Sequence, residues 1–109
     1  MAQRNFGAGA LRLIGPTTAT GLSDVASISP VQTVTAQVVG ATTGATGTFS
    51  IQGSLDGSGF MNAIAATTFL TGTTGTFVTS TSTHIFTNLR VNLSVTGTTE
   101  DVSIFVAGR

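Results

Sequence analysis

Apolar and polar side chains alternate with a period of two along four stretches of the chain. From Gln32 to Val39, Thr33, Thr35 and Gln37 alternate with Val34, Ala36 and Val38; from Thr48 to Ser54, Phe49 and Ile51 alternate with Ser50 and Gln52. Farther on, Ile85, Leu89, Val91, Leu93 and Val95 share one parity, opposed by Arg90, Asn92 and Ser94. Finally, Val102, Ile104 and Val106 oppose Ser103 and Phe105. Successive side chains of a strand point to opposite faces, so each stretch predicts a strand buried on one face. The stretch through Leu89 to Val95 is expected at the centre of the core, and Phe105 is expected to cover something outside it.

Turn signals separate these stretches: Leu55-Asp56-Gly57-Ser58-Gly59, Thr96-Gly97-Thr98, and Gly40 to Gly47. Asp56-Gly57 is the strongest hairpin mark, because glycine takes the positive φ that tight primed turns demand. Thr42 to Gly47 and Thr71 to Thr76 look alike but flank different apolar patterns, so they read as Thr/Gly loops or hairpin tips and not as a repeat. Thr, Gly, Ser and Val are poor helix formers, and no apolar stripe of period 3.6 is sustained. Short strands with turns about every 8 to 12 residues predict an all-β fold, an antiparallel β-sandwich or jelly roll, in a single domain with an N-terminal arm. Residues 1–14, which are rich in Gly and Ala, form the expected arm and edge strand; residues 15–109 form the sandwich domain. Either the arm docks on a neighbour and orders there, or it is a frayed terminus followed by an ordinary strand. On the first reading Arg4, Phe6, Leu11 and Arg12 are the candidate assembly contacts.

Composition narrows the function classes. Of the 109 residues only 7% are charged, against roughly 25% in ordinary soluble domains. Four Arg balance four acids, and there is no Lys. A neutral chain has no long-range field with which to gather phosphate, which argues against nucleic acid and anionic membranes as partners. Near-zero net charge instead favours self-association, though a secreted or merely Thr-rich monomer has the same composition. With no Cys, disulfides, zinc ribbons and thiol nucleophiles are excluded. No apolar run approaches the ~20 residues of a spanning helix. Arg12 interrupts the one apolar run near the N-terminus, so export by a leader is not expected.

Catalytic chemistry finds little to work with. His84 is the single histidine; it could join a serine and Asp24, Asp56 or Asp101 in a triad, but no nucleophile-elbow pattern supports that and a loop-edge or interface histidine is the simpler reading. Glu100 and Asp101 are adjacent, so in a strand they would face opposite ways; a solvated turn fits them better than a glycosidase pair. Asp24 is expected to start or end a turn. Asp56-Gly57-Ser58-Gly59 offers one carboxylate where a calcium loop offers several. Gly40 to Gly47 lacks the Gly-Lys-Ser/Thr ending of a phosphate loop. Absence of Trp and Tyr counts against base- or sugar-stacking platforms. Phe49, Phe60, Phe77 and Phe86 sit in strand patterns and are expected in the core. The chain is therefore read as a non-enzyme with no cofactor and no metal.

Phe49 to Phe60, with its Ser54-Leu55-Asp56-Gly57 hairpin, followed by Thr87 to Gly97 with its Arg90-Val91-Asn92-Leu93 strand, resembles a pattern in small β-sandwich structural proteins of tailed bacteriophages. Phe60 stands where Trp is frequent in that pattern, and Leu89 where an aromatic is usual. The resemblance covers roughly Gln32 to Val106. It implies a capsid decoration or cement protein, a homotrimer on the capsid surface that is assembled in the host cytoplasm and bridges major capsid protein subunits. A tail or fibre module that binds a host-surface glycan through Thr/Gly loops is the alternative, and a small hydrolase built on His84 a third.

Overall fold

The computed structural model describes residues 3–4, 11–17, 20–40, 46–70, 76–97 and 102–109. They form eight strands: β1 (Gln3–Arg4), β2 (Leu11–Thr17), β3 (Gly21–Leu22), β4 (Ala26–Gly40), β5 (Thr46–Ser54), β6 (Met61–Leu70), β7 (Thr76–Gly97) and β8 (Val102–Gly108). No helix occurs among the described residues, and the fold is all-β. The hydrogen-bonded order is β2-β8-β4-β7-β5-β6, with β3 on β7 and β1 on β4; every pairing is antiparallel except the parallel one between β1 and β4.

Two strands are too long to be straight. A fully extended β7 of 22 residues would span roughly 70 Å, yet the longest extent of the molecule is 35 Å. It therefore bends. Its first part, through Thr81, pairs with Thr33–Val38 of β4, and its last part, from Asn88, pairs with β5. The break is visible in the register: Thr81 faces Thr33 and Phe86 faces Val31, so Ser82, Thr83, His84 and Ile85 stand opposite Gln32 alone. Such excursions re-aim strands and let one strand serve two halves of a sheet. The backbone N–H groups of Gln32 and Thr33 donate to the Arg109 carbonyl at 2.8 and 2.9 Å, and the Arg109 N–H donates back to Thr33 at 3.0 Å. The end of the chain thus braces β4 beside the break. Both prolines fall at irregularities, Pro30 between the paired residues Ser27 and Val31 and Pro16 between Ile14 and Thr17. A residue without an N–H cannot donate to a ladder, so these are the positions that tolerate it.

Folded over on itself, the one sheet encloses a single apolar cluster. Val34, Ala36 and Val38 of β4, Ile51 of β5, Leu89, Val91 and Leu93 of β7, and Val102 and Ile104 of β8 have no solvent exposure. These are inward residues of the four alternating stretches, which the structure therefore bears out as strands. Phe49 and Phe69 meet with ring centroids 6.3 Å apart and planes tilted by 58°.

The structure corrects some side-chain placements. Ile85 is 53% exposed, and its neighbour Phe86 is buried in its place. The excursion at Ser82–Ile85 and the irregular register on its far side break the parity that links Ile85 to Leu89. Phe49 and Phe86 are core residues as expected, but Phe60 is only half-buried; the side chain of Phe77 lies outside the described residues. Phe105 is half-buried on the outward face, where it is paired with Arg12 on one side and Gln37 on the other. Asp24 is exposed between β3 and β4. Glu100 and Asp101 lie outside the described residues, as do most of the Thr/Gly loops, residues 41–45 and 71–75.

The arm and its candidate contacts are distributed as follows. Arg4 lies in β1, paired with Ile28, and Phe6 lies outside the described residues. Leu11 packs against the core cluster and Arg12 is exposed. The strand expected to close the arm runs on to Thr17, past the anticipated boundary at residues 14 and 15, and pairs along β8.

Candidate functional site

β5 and β6 form the hairpin expected at Asp56-Gly57, closed by a six-residue loop, Leu55 to Phe60, in place of a tight primed turn. Its closure comes from side chains. The Asp56 Oδ1 accepts the backbone N–H groups of Ser58 and Gly59 and the Ser54 hydroxyl, all at 2.9 Å, while Oδ2 accepts the Ser58 hydroxyl at 3.0 Å. Ser54 Oγ in turn accepts the N–H groups of Asp56 and Gly57 at 3.2 and 2.9 Å. Gly57 alone in this loop takes a positive φ, 81°. An Asp whose short carboxylate gathers nearby amides is the Asx-turn solution to chain reversal, and it spares the backbone a strained primed turn. The Gly59 and Ser58 amides, then the Ser54 and Ser58 hydroxyls, hold the Asp56 carboxyl well below the usual carboxylate range.

Fixing this loop from beneath are Thr87 Oγ1 and Asn88 Nδ2, which donate to the Leu55 carbonyl at 3.2 and 3.3 Å. With its carbonyl held, Leu55 turns its side chain outward and is 70% exposed. Across from it stands the β7 excursion carrying Thr83, His84 and Ile85. Between the loop and the excursion runs a groove of about 660 Å³, lined by Leu55, Phe60, Met61, His84, Ile85 and Phe86, among others. Leu55, Met61 (44% exposed) and Ile85 are three of the four large exposed hydrophobic side chains among the described residues; Leu22 is the fourth. Isolated surface hydrophobics are ordinary, but three converging on one concavity make this groove the candidate binding site among the described residues.

The polar groups in the groove are engaged with their own neighbours in sequence. The His84 ring Nδ1 lies 3.2 Å from the Thr83 hydroxyl, and the His84 backbone N–H donates to Ser82 Oγ at 3.0 Å. Asp56 is turned into its own loop, and Ser54 donates its proton to a carboxylate of depressed basicity and not to an imidazole. A nucleophile needs a base within hydrogen-bond reach and a third group orienting that base; His84 and Asp56 line the same groove without forming that chain. Among the described residues no group of three His, Cys, Asp or Glu is placed to hold a metal ion, and no helix is long and apolar enough to cross a membrane.

Beside the groove, Phe60 lies under the Arg90 guanidinium, whose Nε donates to Gln52 Oε1 at 2.6 Å. Phe60, Gln52 and Arg90 come from the two separate segments that carry the phage-type resemblance, and the fold brings them together. On the outward face around Thr33, threonines pair across strands: Thr33 with Thr81 at 2.9 Å and Thr35 with Thr79 at 2.8 Å. A second, smaller depression of about 260 Å³ lies there, lined by Thr33, Thr35 and Thr79 with Ala107, Gly108 and Arg109.

The groove was not anticipated from sequence. Its signals were local anomalies: an exposed-type turn beginning with Leu55, and the adjacent pair Ile85-Phe86, which cannot both enter the core from a regular strand. Compared with protein-family models, curated proteins and solved structures, the chain matches none.

Proposed function

We propose that the chain is a virion structural protein of the capsid decoration or cement type, which binds an assembled shell and bridges neighbouring major capsid protein subunits. The observation that carries this reading is the apolar groove between Leu55 and Ile85, set in a surface of almost no charge. An exposed apolar concavity gains most from burying a partner's side chain. A net charge of zero means that many copies crowd on one shell without mutual repulsion. The phage-type resemblance supplies the setting, and the joining of its two segments at Phe60 and Arg90 gives those residues a shared structural purpose.

Mechanistically, the groove accepts an apolar side chain from the shell, and the Asp56 loop holds Leu55 in place without needing to order on binding. Preorganisation of this kind spares binding the cost of fixing a loop. Specificity for the assembled shell follows if the groove and a second surface touch two different capsid subunits at once, because each contact then raises the effective concentration of the other.

The test is cosedimentation of the purified protein with assembled capsids and, separately, with isolated capsid subunits. Binding to capsids is expected to exceed binding to subunits, and Leu55→Asp and Ile85→Asp are each expected to weaken it about tenfold or more, since a buried Leu or Ile contributes about 1.5–3 kcal/mol. Equal binding to both forms, or capsids of undiminished strength without the protein, overturns the reading.

A further inference from the structure

The two ends of the strand order, β2 and β6, are edges of very different kinds. An edge strand presents unpaired N–H and C=O groups, and proteins blunt such edges with charge, proline and bulges. Strand β2 carries all three. Arg12 is exposed on it, Pro16 lacks an N–H, and its register on β8 shifts twice. At Gly15, whose φ is 98°, the backbone comes so close to β8 that a Cβ would overlap the Val102 carbonyl and Ser103. Strand β6 is ten residues long and has no charge, no proline and no glycine. Among the described residues it pairs with β5 alone. Met61, Asn62, Ala65, Ala66 and Thr68 on it are exposed. Two register shifts interrupt β6 before Thr67, but Thr67 to Leu70 pair with β5 without a break.

We propose that β6 is a self-pairing edge, joining Ala66–Leu70 of one copy antiparallel to the same residues of a second copy about a two-fold axis at Thr68. Three observations single out this occupant. Small, neutral side chains at Ala66 and Thr68 let a second backbone approach closely. With no net charge, two copies meet without repulsion. Because β2 is guarded, addition at β6 is not propagated from the far edge; a self-complementary contact on one edge closes as a dimer, whereas an open edge at both ends would extend as a fibre. Met61 lies on the order of 20 Å along the strand from the axis, so the groove stays clear for another partner. The inference shares with the proposed function only the idea that copies associate, and it names a dimer where the phage-type resemblance implies a trimer.

The experiment is light scattering of the full chain after size exclusion, over about 1 to 100 µM, with amide hydrogen exchange at both ends of that range. A mass approaching twice the 10.9 kDa of the chain is expected, together with protection of the Ala66–Leu70 amides that rises with concentration. Thr68→Lys places like charges at the axis and is expected to weaken the dimer at least tenfold while leaving circular dichroism unchanged. Ala66→Pro is expected to do the same; should it fail to fold, Thr68→Lys and the exchange data decide. A monomer throughout, a trimer, a dimer indifferent to Thr68→Lys, or concentration-dependent protection on Leu11–Thr17 in place of Ala66–Leu70 each overturns the inference. Capsid cosedimentation of Thr68→Lys separates the two proposals: a variant that binds shells normally as a monomer leaves the shell reading standing, whatever the fate of the dimer.

Discussion

The guanidinium carbon of Arg90 stands 3.9 Å from the centroid of the Phe60 ring. Phe60 is the last residue of the Asp56 loop and Arg90 lies on β7, paired in register with Gln52 of β5. The stack therefore anchors the exit of the loop to the strand that runs through both halves of the sheet. A cation over an aromatic face, with its Nε already donating to Gln52, is held in one orientation at little further entropic cost.

A double-mutant cycle measures this contact. Phe60→Leu and Arg90→Met are each expected to destabilise the protein, and urea denaturation of the two single variants and the double variant should give a coupling of about 0.5–1 kcal/mol. A coupling of zero would show that the stack is geometric only.

Stability should also depend on Asp56 in the acid range. Its carboxyl is held below the ordinary value of 3.8 in the folded state, so the folded protein resists a proton that the unfolded chain accepts. The resulting contribution is fully present above the unfolded value and is lost as pH falls below about 4 toward the depressed folded value. Urea midpoints from pH 7 to pH 2 should fall more steeply for the wild type than for Asp56→Asn, and parallel curves would refute the assignment.

Close packing between β5 and the bend of β7 makes a third prediction. A Cβ added at Gly53 would overlap the Phe86 ring, so Gly53→Ala is expected to cost about 1–3 kcal/mol by overpacking. Combining it with Phe86→Leu should be less damaging than the two costs added together. Strict additivity in denaturant titrations would mean that the two positions do not share this space.

The parity break in β7 is checked by comparing two aliphatic residues of one strand. Leu89 has no exposure, and Leu89→Ala is expected to cost about 2–5 kcal/mol. Ile85→Ala, at a position 53% exposed, should change monomer stability by no more than about 0.5 kcal/mol. Similar losses at the two positions would place Ile85 in the core after all.

How far the sequence reached follows from which interactions each feature needs. The inward sets Val34-Ala36-Val38, Phe49-Ile51, Leu89-Val91-Leu93 and Val102-Ile104-Val106 are written in a period of two, because any strand with one buried face must alternate. Neutrality and the absence of Lys, Cys, Trp and Tyr are properties of composition and need no fold at all. Strand β6 was legible only as the return strand that the Asp56-Gly57 hairpin and Phe60 require, since its irregular register against β5 buries the neighbours Ala63 and Ile64 together and leaves no alternation to read. The Asp56 loop was legible as a reversal but not in its form, since closure by a carboxylate depends on where Ser54, Ser58 and Gly59 stand in space.

What tertiary structure alone decided is the groove and the edges. Ile85 is exposed and Phe86 buried because at the bend of β7 the residues Ser82 to Ile85 stand opposite Gln32 alone, and a shift in register turns the side chains beyond it to the opposite face. Leu55, Met61 and Ile85 meet only because that bend faces the loop. By itself the sequence determined an uncharged all-β chain, its inward residues and where it turns, all local matters of period and residue type. Which strands end the sheet, and which apolar side chains are left outside it, were decided by pairings between residues far apart in the chain, and local patterning carries no record of those.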